Sequence, residues 1–555
     1  MKKEQRSGWW WVPSLYYAEG IPYNIAMIVS VVMYKTMGVS NTAIAFWTSI
    51  LYLPWTFKPL WSPFVDVIST KRSWVIWMQF LLAATFFGIA ATIGLPWYFP
   101  VTLAILWLVA FSSATHDIAA DGFYMLGLDE HQQAWFVGIR STFYRMATIT
   151  AIGLIVMLAG FIEENTGLEP VEVDVMAVTQ AQFTNPQDPD SIHIDREDGL
   201  PRILIFPKKI TVPLSHIKPS GLDSANIYIA LSGPPEDQEV IVVRFGRKSG
   251  SKDIFQVEEG RFEFTADNWD QPRRVTIKTD NKLKEPAEAT FGATAGDTPF
   301  SWLVSFVILG AIMLFFATYH KFALPHPVDE AGSDRNNILA SWLDVFRTFF
   351  QKKGVWAGVI FLLIYRLAES QLVKLASPFL LDPQEAGGLA LTTAQVGFVY
   401  GTVGIIALLL GGLAGGFLAA RHGLKKWIWY MAVAINIPDL VYVYFSFALP
   451  DNFLIVTIGV AIEQLGYGFG FTGYMLYMIF ISEGKYKTSH FAITTAFMAL
   501  GMMIPGMVSG YIQEFLGYQN FFIWVMIATI PSFIVLKFLY IDPDFGKKKE
   551  MSQTA

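Results

Sequence analysis

Twelve long apolar segments run along the chain, at about 9–36, 42–65, 73–94, 99–127, 134–162, 300–320, 355–380, 393–419, 427–448, 452–481, 489–515 and 518–540. About 18 or more mainly apolar residues are enough to cross a bilayer as a helix. Within lipid the backbone must satisfy its own hydrogen bonds, so segments of this length are predicted to be helical. One polar block of 137 residues, 163–299, separates the fifth segment from the sixth. Its pattern has a different period. Runs at 171–175, 202–206, 226–231, 239–245, 261–265 and 273–278 alternate apolar and polar residues and are divided by Gly, Pro and Asp. Such alternation between turn residues predicts antiparallel strands and a β-sandwich. The fold expected is therefore an all-α polytopic membrane protein of 12 transmembrane helices with an inserted β-sandwich.

Charge then orients the spans. Short connections on one side carry Lys2, Lys3 and Arg6, Lys71 and Arg72, Arg421, Lys425 and Lys426, Lys485 and Lys487, and Lys547, Lys548 and Lys549. The opposite connections (38–42, 95–100, 381–392, 449–452, 517–520) contain no Lys or Arg. The excess of cations on one side predicts that both termini are cytoplasmic and that residues 163–299 lie outside. The connection 321–354 is expected in the cytoplasm. Within it, 338–350 has apolar residues at helical spacing, which suits an amphipathic helix on the membrane surface; a plain linker between two halves is the alternative.

Composition narrows the class. The 555 residues are 53% hydrophobic and 15% charged, against about 45–50% and 25% in soluble domains. The formal charge of −6 is unevenly spread: residues 163–299 hold 24 Asp and Glu against 15 Lys and Arg, and the rest holds 22 against 25. A polar block this acidic is a poor fit to nucleic acid. With no cysteine, disulfides, thiolate metal sites and thiol catalysis are excluded. The apolar run after the basic first residues is too long for a signal sequence, so it is expected to stay as the first helix. There is no Gly-x-x-x-x-Gly-Lys-Ser/Thr loop, which argues against an ATP-driven pump. A secondary transporter rather than an enzyme is expected, with no cofactor and no metal, and with a proton gradient as the coupling force.

Without the insert, about 418 residues remain as six plus six spans. The domains expected are 1–162 (helices 1–5), 163–299 (sandwich), 300–320 (helix 6), 321–354 (linker) and 355–555 (helices 7–12 and basic tail). The halves show weak parallel symmetry. Pro63-Phe-Val-Asp66-Val-Ile-Ser-Thr-Lys71-Arg72 follows span 2, and Gly415-Gly-Phe-Leu-Ala-Ala-Arg421-His-Gly-Leu-Lys425-Lys426 follows span 8. These loops resemble the Gly-x-x-x-Asp-Arg-x-Gly-Arg-Lys pattern of the major facilitator superfamily, though the first lacks the leading Gly and the second has Ala420 in place of an Asp. The resemblance assigns Asp66, Lys71, Arg72, Arg421, Lys425 and Lys426 to gating loops. Positive-inside charge alone explains the cations but not Asp66.

A narrower resemblance lies in Tyr16-Tyr-Ala-Glu-Gly-Ile-Pro22, Leu53-Pro-Trp-Thr-Phe-Lys58-Pro-Leu-Trp-Ser-Pro63-Phe-Val-Asp66 and Ala114-Thr-His116-Asp117-Ile-Ala-Ala-Asp121. These are similar to AmpG-type muropeptide permeases, of a family that also includes acetyl-CoA transporters. The resemblance implies proton-driven import of amino-sugar muropeptides through a bacterial inner membrane, in peptidoglycan recycling, with 163–299 periplasmic. His116 stands where that family usually carries Gln, and the insert is an addition to its simplest architecture.

Charges inside spans cost about 2.5–3.5 kcal/mol each on insertion scales, so they are functional candidates. Asp117 and Asp121 share one face of span 4. Antiparallel spans 4 and 5 would bring Asp121 to Arg140 and Asp117 to Arg145. One reading is a fixed, neutralised network. The other is that a carboxylate among Glu19, Asp117 and Asp121 exchanges its cation for a proton, with His116 sharing it. For His116 a hydrogen-bonded bundle histidine is the plainer alternative. Arg366 and Glu369 are three residues apart in span 7 and are placed to pair with each other. Glu463 in span 10 is the counterpart of the span 4 acids, and it ranks above Asp439 of span 9. Tyr16, Tyr23, Lys58, Tyr365, Glu463 and Tyr467 are candidates to line a substrate cavity, since an aromatic ring with a hydroxyl suits a sugar. Helix packing is the alternative for each Tyr, and snorkelling to the membrane surface is the alternative for Lys58. Trp9, Trp10, Trp11, Trp97, Tyr98, Trp427 and Trp429 suit an interfacial belt.

Leu231-Ser-Gly-Pro-Pro and Phe264-Thr-Ala-Asp-Asn-Trp269-Asp-Gln-Pro272 in the block resemble Calx-β-like sandwich modules. Such modules bind calcium through loop acids, for which Asp267, Asp270 and Asp280 are available; solvated loop acids are the alternative. The module is placed to bind substrate, dock a periplasmic partner or brace the membrane portion. The expected partners are a small-molecule or oligosaccharide substrate and the lipid bilayer, with no nucleic acid. Competing readings are transport of another oligosaccharide or an acyl-CoA, and a membrane-anchored sensor or scaffold that acts through the sandwich.

Overall fold

The computed structural model describes residues 7–128, 130–179, 201–214, 224–235, 241–251, 253–257, 260–280, 282–326, 338–484, 486–543 and 545. The chain forms two compact units. One is helical (residues 1–159, 302–381 and 392–555); the other contains residues 160–301 together with 382–391.

The helical unit opens with α1 (Val12–Asn24), a π-helical turn at Ile25–Val29 and α2 (Ser30–Thr36). Pro22 lies inside α1 and lacks the N–H its turn would use; the wider π turn follows it directly. Next come α3 (Asn41–Ile50) and α4 (Leu53–Ile68), α5 (Lys71–Thr92), α6 (Tyr98–Gly127), α7 (Glu130–Thr148) and α8 (Val156–Asn165). After the strands follow α9 (Thr298–Ala323), α10 (Ile338–Phe350), α11 (Val355–Ile364), α12 (Leu367–Leu381), α13 (Thr393–Phe398), α14 (Ile405–His422), α15 (Leu424–Asn436), α16 (Leu440–Ala448), α17 (Phe453–Ser482), α18 (Lys487–Ala528) and α19 (Ile530–Leu536).

Among the described residues, nine helical stretches are long and apolar enough to cross a membrane. This is a multi-pass membrane protein. Nine differs from twelve for two local reasons. The segments expected at 42–65 and 355–380 are each divided into two shorter helices, at Leu51–Tyr52 and at Tyr365–Arg366. The segments at 489–515 and 518–540 run together across Gly517, whose φ of 72° breaks the helical path. Of the expected aromatic belt, Trp9, Trp10, Trp97 and Trp429 are exposed, whereas Trp11 is fully buried against Phe123.

Each half has its own core. Ile21, Leu82, Phe86, Leu106, Trp302 and Phe306 pack in the first. Phe361, Met431, Tyr474 and Met478 pack in the second. The halves are pinned together at the end opposite the cation-rich loops. There Asn41 donates to Gln513 (3.0 Å) and to Tyr518 (2.8 Å), and Thr42 donates to Glu514. The halves also meet between the π-helical turns Ile149–Ile155 and Val399–Gly404, where the backbones of Gly153 and Gly401 touch. A Cβ on Gly153 would stand 2.9 Å from the Gly401 carbonyl oxygen, so only glycine permits this approach.

The second unit is the expected sandwich. One sheet has the order β3-β1-β9-β5-β7 and the other β2-β4-β8-β6. The strands are β1 (Gly167–Val178), β2 (Ile203–Phe206), β3 (Lys209–Pro213), β4 (Ser224–Leu231), β5 (Ile241–Gly250), β6 (Ile254–Gln256), β7 (Arg261–Phe264), β8 (Arg273–Thr279) and β9 (Ala287–Gly296). Alternate residues of facing strands fill the core: Val173 and Val175, Ile227 and Ile229, Val243 and Phe245, Val275 and Ile277, Phe291 and Ala293 are all buried. Phe245 and Phe291 stack at 5.6 Å between neighbouring strands. Residues 382–391 belong to this unit, and Arg247 of β5 donates to Gln384 at 2.6 Å. Asp267 and Asp270 are exposed, and Asp280 accepts the Lys282 N–H at 2.9 Å. Among the described residues these three acids do not converge as metal ligands would.

Candidate transport site

The charged side chains of α1, α4, α6 and α7 meet in the middle of the first half. Asp117 of α6 forms an ion pair with Lys58 of α4. The carboxyl of Glu19, on α1, comes within hydrogen-bonding reach of Asp117, close enough for the two to share one proton. Glu19 is 6% exposed, and its Oε2 has no hydrogen-bond partner among the described residues. One turn along α6, Asp121 is held by Arg140 at 2.9 Å and by the Tyr16 hydroxyl at 3.0 Å. The Arg140 guanidinium lies over the Tyr16 ring at 4.3 Å and the Tyr124 ring at 5.1 Å, a cation–π arrangement that fixes it in place.

This network differs from the expected one at two residues. The Asp121–Arg140 pair forms. Asp117, however, takes Lys58 and not Arg145, so Lys58 is turned inward and does not snorkel. Arg145 instead points toward the second half, where its guanidinium passes Gly412 of α14. It has no ion-pair partner among the described residues, and it lies near enough to Tyr467 for the two to interact electrostatically.

His116 is fully buried, and the hydrogen bond of its Nε2 goes to α5 and not to the carboxylates. Its Nε2 is 2.9 Å from Gln79 of α5; Gln79 Oε1 is 2.8 Å from His320 Nδ1 of α9; His320 Nε2 is 2.9 Å from Ser14 of α1. Four helices are thereby joined by one polar chain that the sequence reading did not find. Gln79 and His320 were visible only as single polar residues in apolar runs. Substituting Gln79→Leu strands both rings without their partner, and buried polar groups left unpaired cost roughly 1–3 kcal/mol each. Purified Gln79→Leu protein is expected to melt several degrees lower than wild type while keeping the pH dependence of uptake. A changed pH dependence would move His116 into the coupling machinery.

In the second half, Arg366 and Glu369 do not form a close pair. Arg366 donates to the Tyr467 hydroxyl at 2.6 Å and lies over the Tyr467 and Phe471 rings at 5.3 and 5.0 Å. Tyr467 therefore holds the Arg366 guanidinium directly and is near enough to Arg145 of the other half to interact with it electrostatically. Tyr365 is fully buried: it stacks on Tyr474 at 5.5 Å and donates to the Gly470 carbonyl, a packing position. Tyr23 packs edge-on against Trp55 at 5.3 Å. Lys374 of α12, passed over in the sequence, is 1% exposed; its ammonium donates to Thr48 at 3.0 Å and lies 5.4 Å from the Tyr52 ring centre. Glu463 is buried and accepts from Gln464, and it is joined by Glu369 and Asp439.

At the cation-rich end, Arg72 donates to the carbonyls of Lys321 and Leu324, tying α5 to the end of α9. The Lys71 stem crosses Gly122, whose missing Cβ leaves it room. Arg421, Lys425 and Lys426 are exposed around the α14–α15 turn. The Asp66 side chain lies outside the described residues.

Residues 20–181 match the BT1 family. A Rickettsia felis protein assigned as the transporter AmpG 1 is 28% identical over 202 residues, covering 36% of this chain and 43% of that one. AmpG 4 of the same organism is 23% identical over 245 residues, covering 43% of this chain and 57% of that one. This chain thus spans about half the length of the curated relatives it matches. Among solved structures, the nucleoside transporter NupG aligns with a TM-score of 0.57 at 14% identity, over 96% of this chain and 98% of that one. A bacterial homologue of the human lysosomal transporter Spinster, inward-facing and unoccupied, aligns with a TM-score of 0.54 at 14% identity, over 97% of each chain. At such identities the likeness is one of fold. The chain therefore carries a segment similar to the BT1 family and AmpG-type transporters, on a major facilitator fold with an inserted β-sandwich.

Proposed function

We propose that this protein is a proton-coupled importer of a muropeptide or a related amino-sugar oligosaccharide across the bacterial cytoplasmic membrane. Its two six-helix halves rock about the central charges, with both termini cytoplasmic and the sandwich periplasmic. The observation that carries the reading is the Glu19–Asp117–Lys58 cluster. Two carboxyls that can share a proton, beside one lysine, form a group whose charge balance changes by one on protonation. It lies in the segment that resembles the AmpG-type transporters. A peptide-bearing sugar also brings carboxylates. On this reading Arg145 and Arg366, one from each half, receive one as the halves close; Arg366 donates to the Tyr467 hydroxyl and Arg145 interacts with the same tyrosine electrostatically.

The test is uptake into proteoliposomes under an imposed pH gradient, across a panel of muropeptides and other oligosaccharides. Gradient-driven accumulation of an amino-sugar peptide is expected. Uptake that ignores the gradient would overturn the coupling, and accumulation of an oligosaccharide without peptide, but of no muropeptide, would overturn the substrate class.

A further inference from the structure

The second half contains a group of acids that the coupling scheme leaves unused. Glu369 of α12, Asp439 of the turn Ile437–Asp439 between α15 and α16, and Glu463 of α17 each bring one carboxylate oxygen within 4.8 Å of the other two. Their exposures are 3%, 2% and 2%. Asp439 is the informative member. Both of its oxygens are buried and have no hydrogen-bond partner among the described residues, and Glu369 Oε2 is also unpartnered. Gln464 donates to both oxygens of Glu463, at 3.2 and 3.0 Å. Neighbouring groups include the Tyr400 and Tyr442 hydroxyls, hydrogen-bonded to each other at 2.8 Å, and Arg366, which donates to the Tyr467 hydroxyl and attracts the Glu369 carboxylate.

Three carboxylates this close in the interior cannot all stay ionised unless a cation lies among them; otherwise they must take up protons. Both Asp439 oxygens lack a hydrogen-bond partner among the described residues, so the pocket holds an acceptor with nothing donating to it. A central ion suits this spacing. With the oxygens no more than 4.8 Å apart, one ion can lie within about 2.8 Å of all three, a reach that admits oxygen-bound calcium at about 2.3–2.6 Å; magnesium suits a dry three-carboxylate pocket less, because it demands near-ideal octahedral geometry and dehydrates reluctantly.

We propose that Glu369, Asp439 and Glu463 form a binding site for a hard cation of the sodium or calcium size, in the half of the protein opposite the Asp117 cluster. The site holds its ion whether or not the solute is present, so its test needs neither gradient nor substrate. The detergent-purified full chain is melted in choline buffer at constant pH with increasing Na⁺, Ca²⁺ or Mg²⁺. A saturable rise in melting temperature is expected with Na⁺ or Ca²⁺ and not with Mg²⁺, and the effective ion identifies the occupant. Asp439→Asn and Glu463→Gln each remove a ligand and also relieve buried charge, so both should fold. Each is expected to weaken the response at least tenfold, given that even outer-shell substitutions cost about 10–100-fold in metal affinity. No response to either ion in the wild type would overturn the site. So would a response unchanged in both variants, or stabilisation by acidification alone.

Discussion

In proteoliposomes with an imposed pH gradient, Asp117→Asn protein is expected to accumulate solute at least about 100-fold less than wild type, the scale of roughly 2.7 kcal/mol in a rate. Asp117 does two things at once. It neutralises Lys58, and it stands within proton-sharing reach of Glu19. Its loss leaves a lysine in the bundle without its counter-charge. Breaking a buried pair in this way costs about 3–5 kcal/mol, and the side-chain exposures of 17% and 22% place the effect at the low end. The single variant should therefore also melt lower. Pairing it with Lys58→Met removes the stranded charge. The double variant is expected to recover most of the melting temperature while its uptake stays insensitive to the gradient. Recovery of coupled uptake in the double variant, or full coupling in Asp117→Asn alone, would remove Asp117 as the proton carrier.

An effect of similar size is expected from Gly401→Leu, for a steric reason. A side chain at Gly401 would overlap the backbone of Gly153 in the opposite half. Neither backbone can yield, because both turns are packed between helices. The halves would then be unable to close at the Asn41–Gln513–Tyr518 end, and the proposed rocking cycle requires each end to close in turn. The sequence contains no cysteine, so a single Ile44→Cys, fully buried on α3 three residues from Asn41, reports closure without background and leaves the Asn41 contacts in place. Its labelling by a membrane-impermeant maleimide should be slow on its own and fast when combined with Gly401→Leu, while transport falls about 100-fold. Slow labelling in both, with transport retained, would show that the seam is not the gate.

Periodicity carries a long way in this chain because lipid and β-sheets both force it. An apolar segment of bilayer length has one viable structure, and a half-buried strand must alternate. The helical segments, the position of the insert, a helix at Ile338–Phe350 and six of the nine strands among the described residues follow from that. Strand β9 does not. Its residues 287–296 read Ala-Glu-Ala-Thr-Phe-Gly-Ala-Thr-Ala-Gly, poor strand formers by propensity. It becomes a strand in the middle of the five-stranded sheet because β1 and β5 pair with it on either side.

The candidate site divides the same way. That Glu19, Lys58, Asp117, Asp121, Arg140, Arg366 and Glu463 are candidates is legible from charge in apolar runs, since such a charge is costly in lipid. Which charge answers which is not. Depth along two helices proposed Arg145 for Asp117, but depth is one coordinate of three, and the rotation of α4 brings Lys58 closer. The chain from Ser14 to His116 and the group formed by Glu369, Asp439 and Glu463 draw on residues up to 306 positions apart. Sequence alone determined what this chain must bury and in what kind of element. Only the packing of helices from both halves decided which buried groups meet, because a pairwise electrostatic contact depends on distances of a few ångströms that no period along the chain encodes.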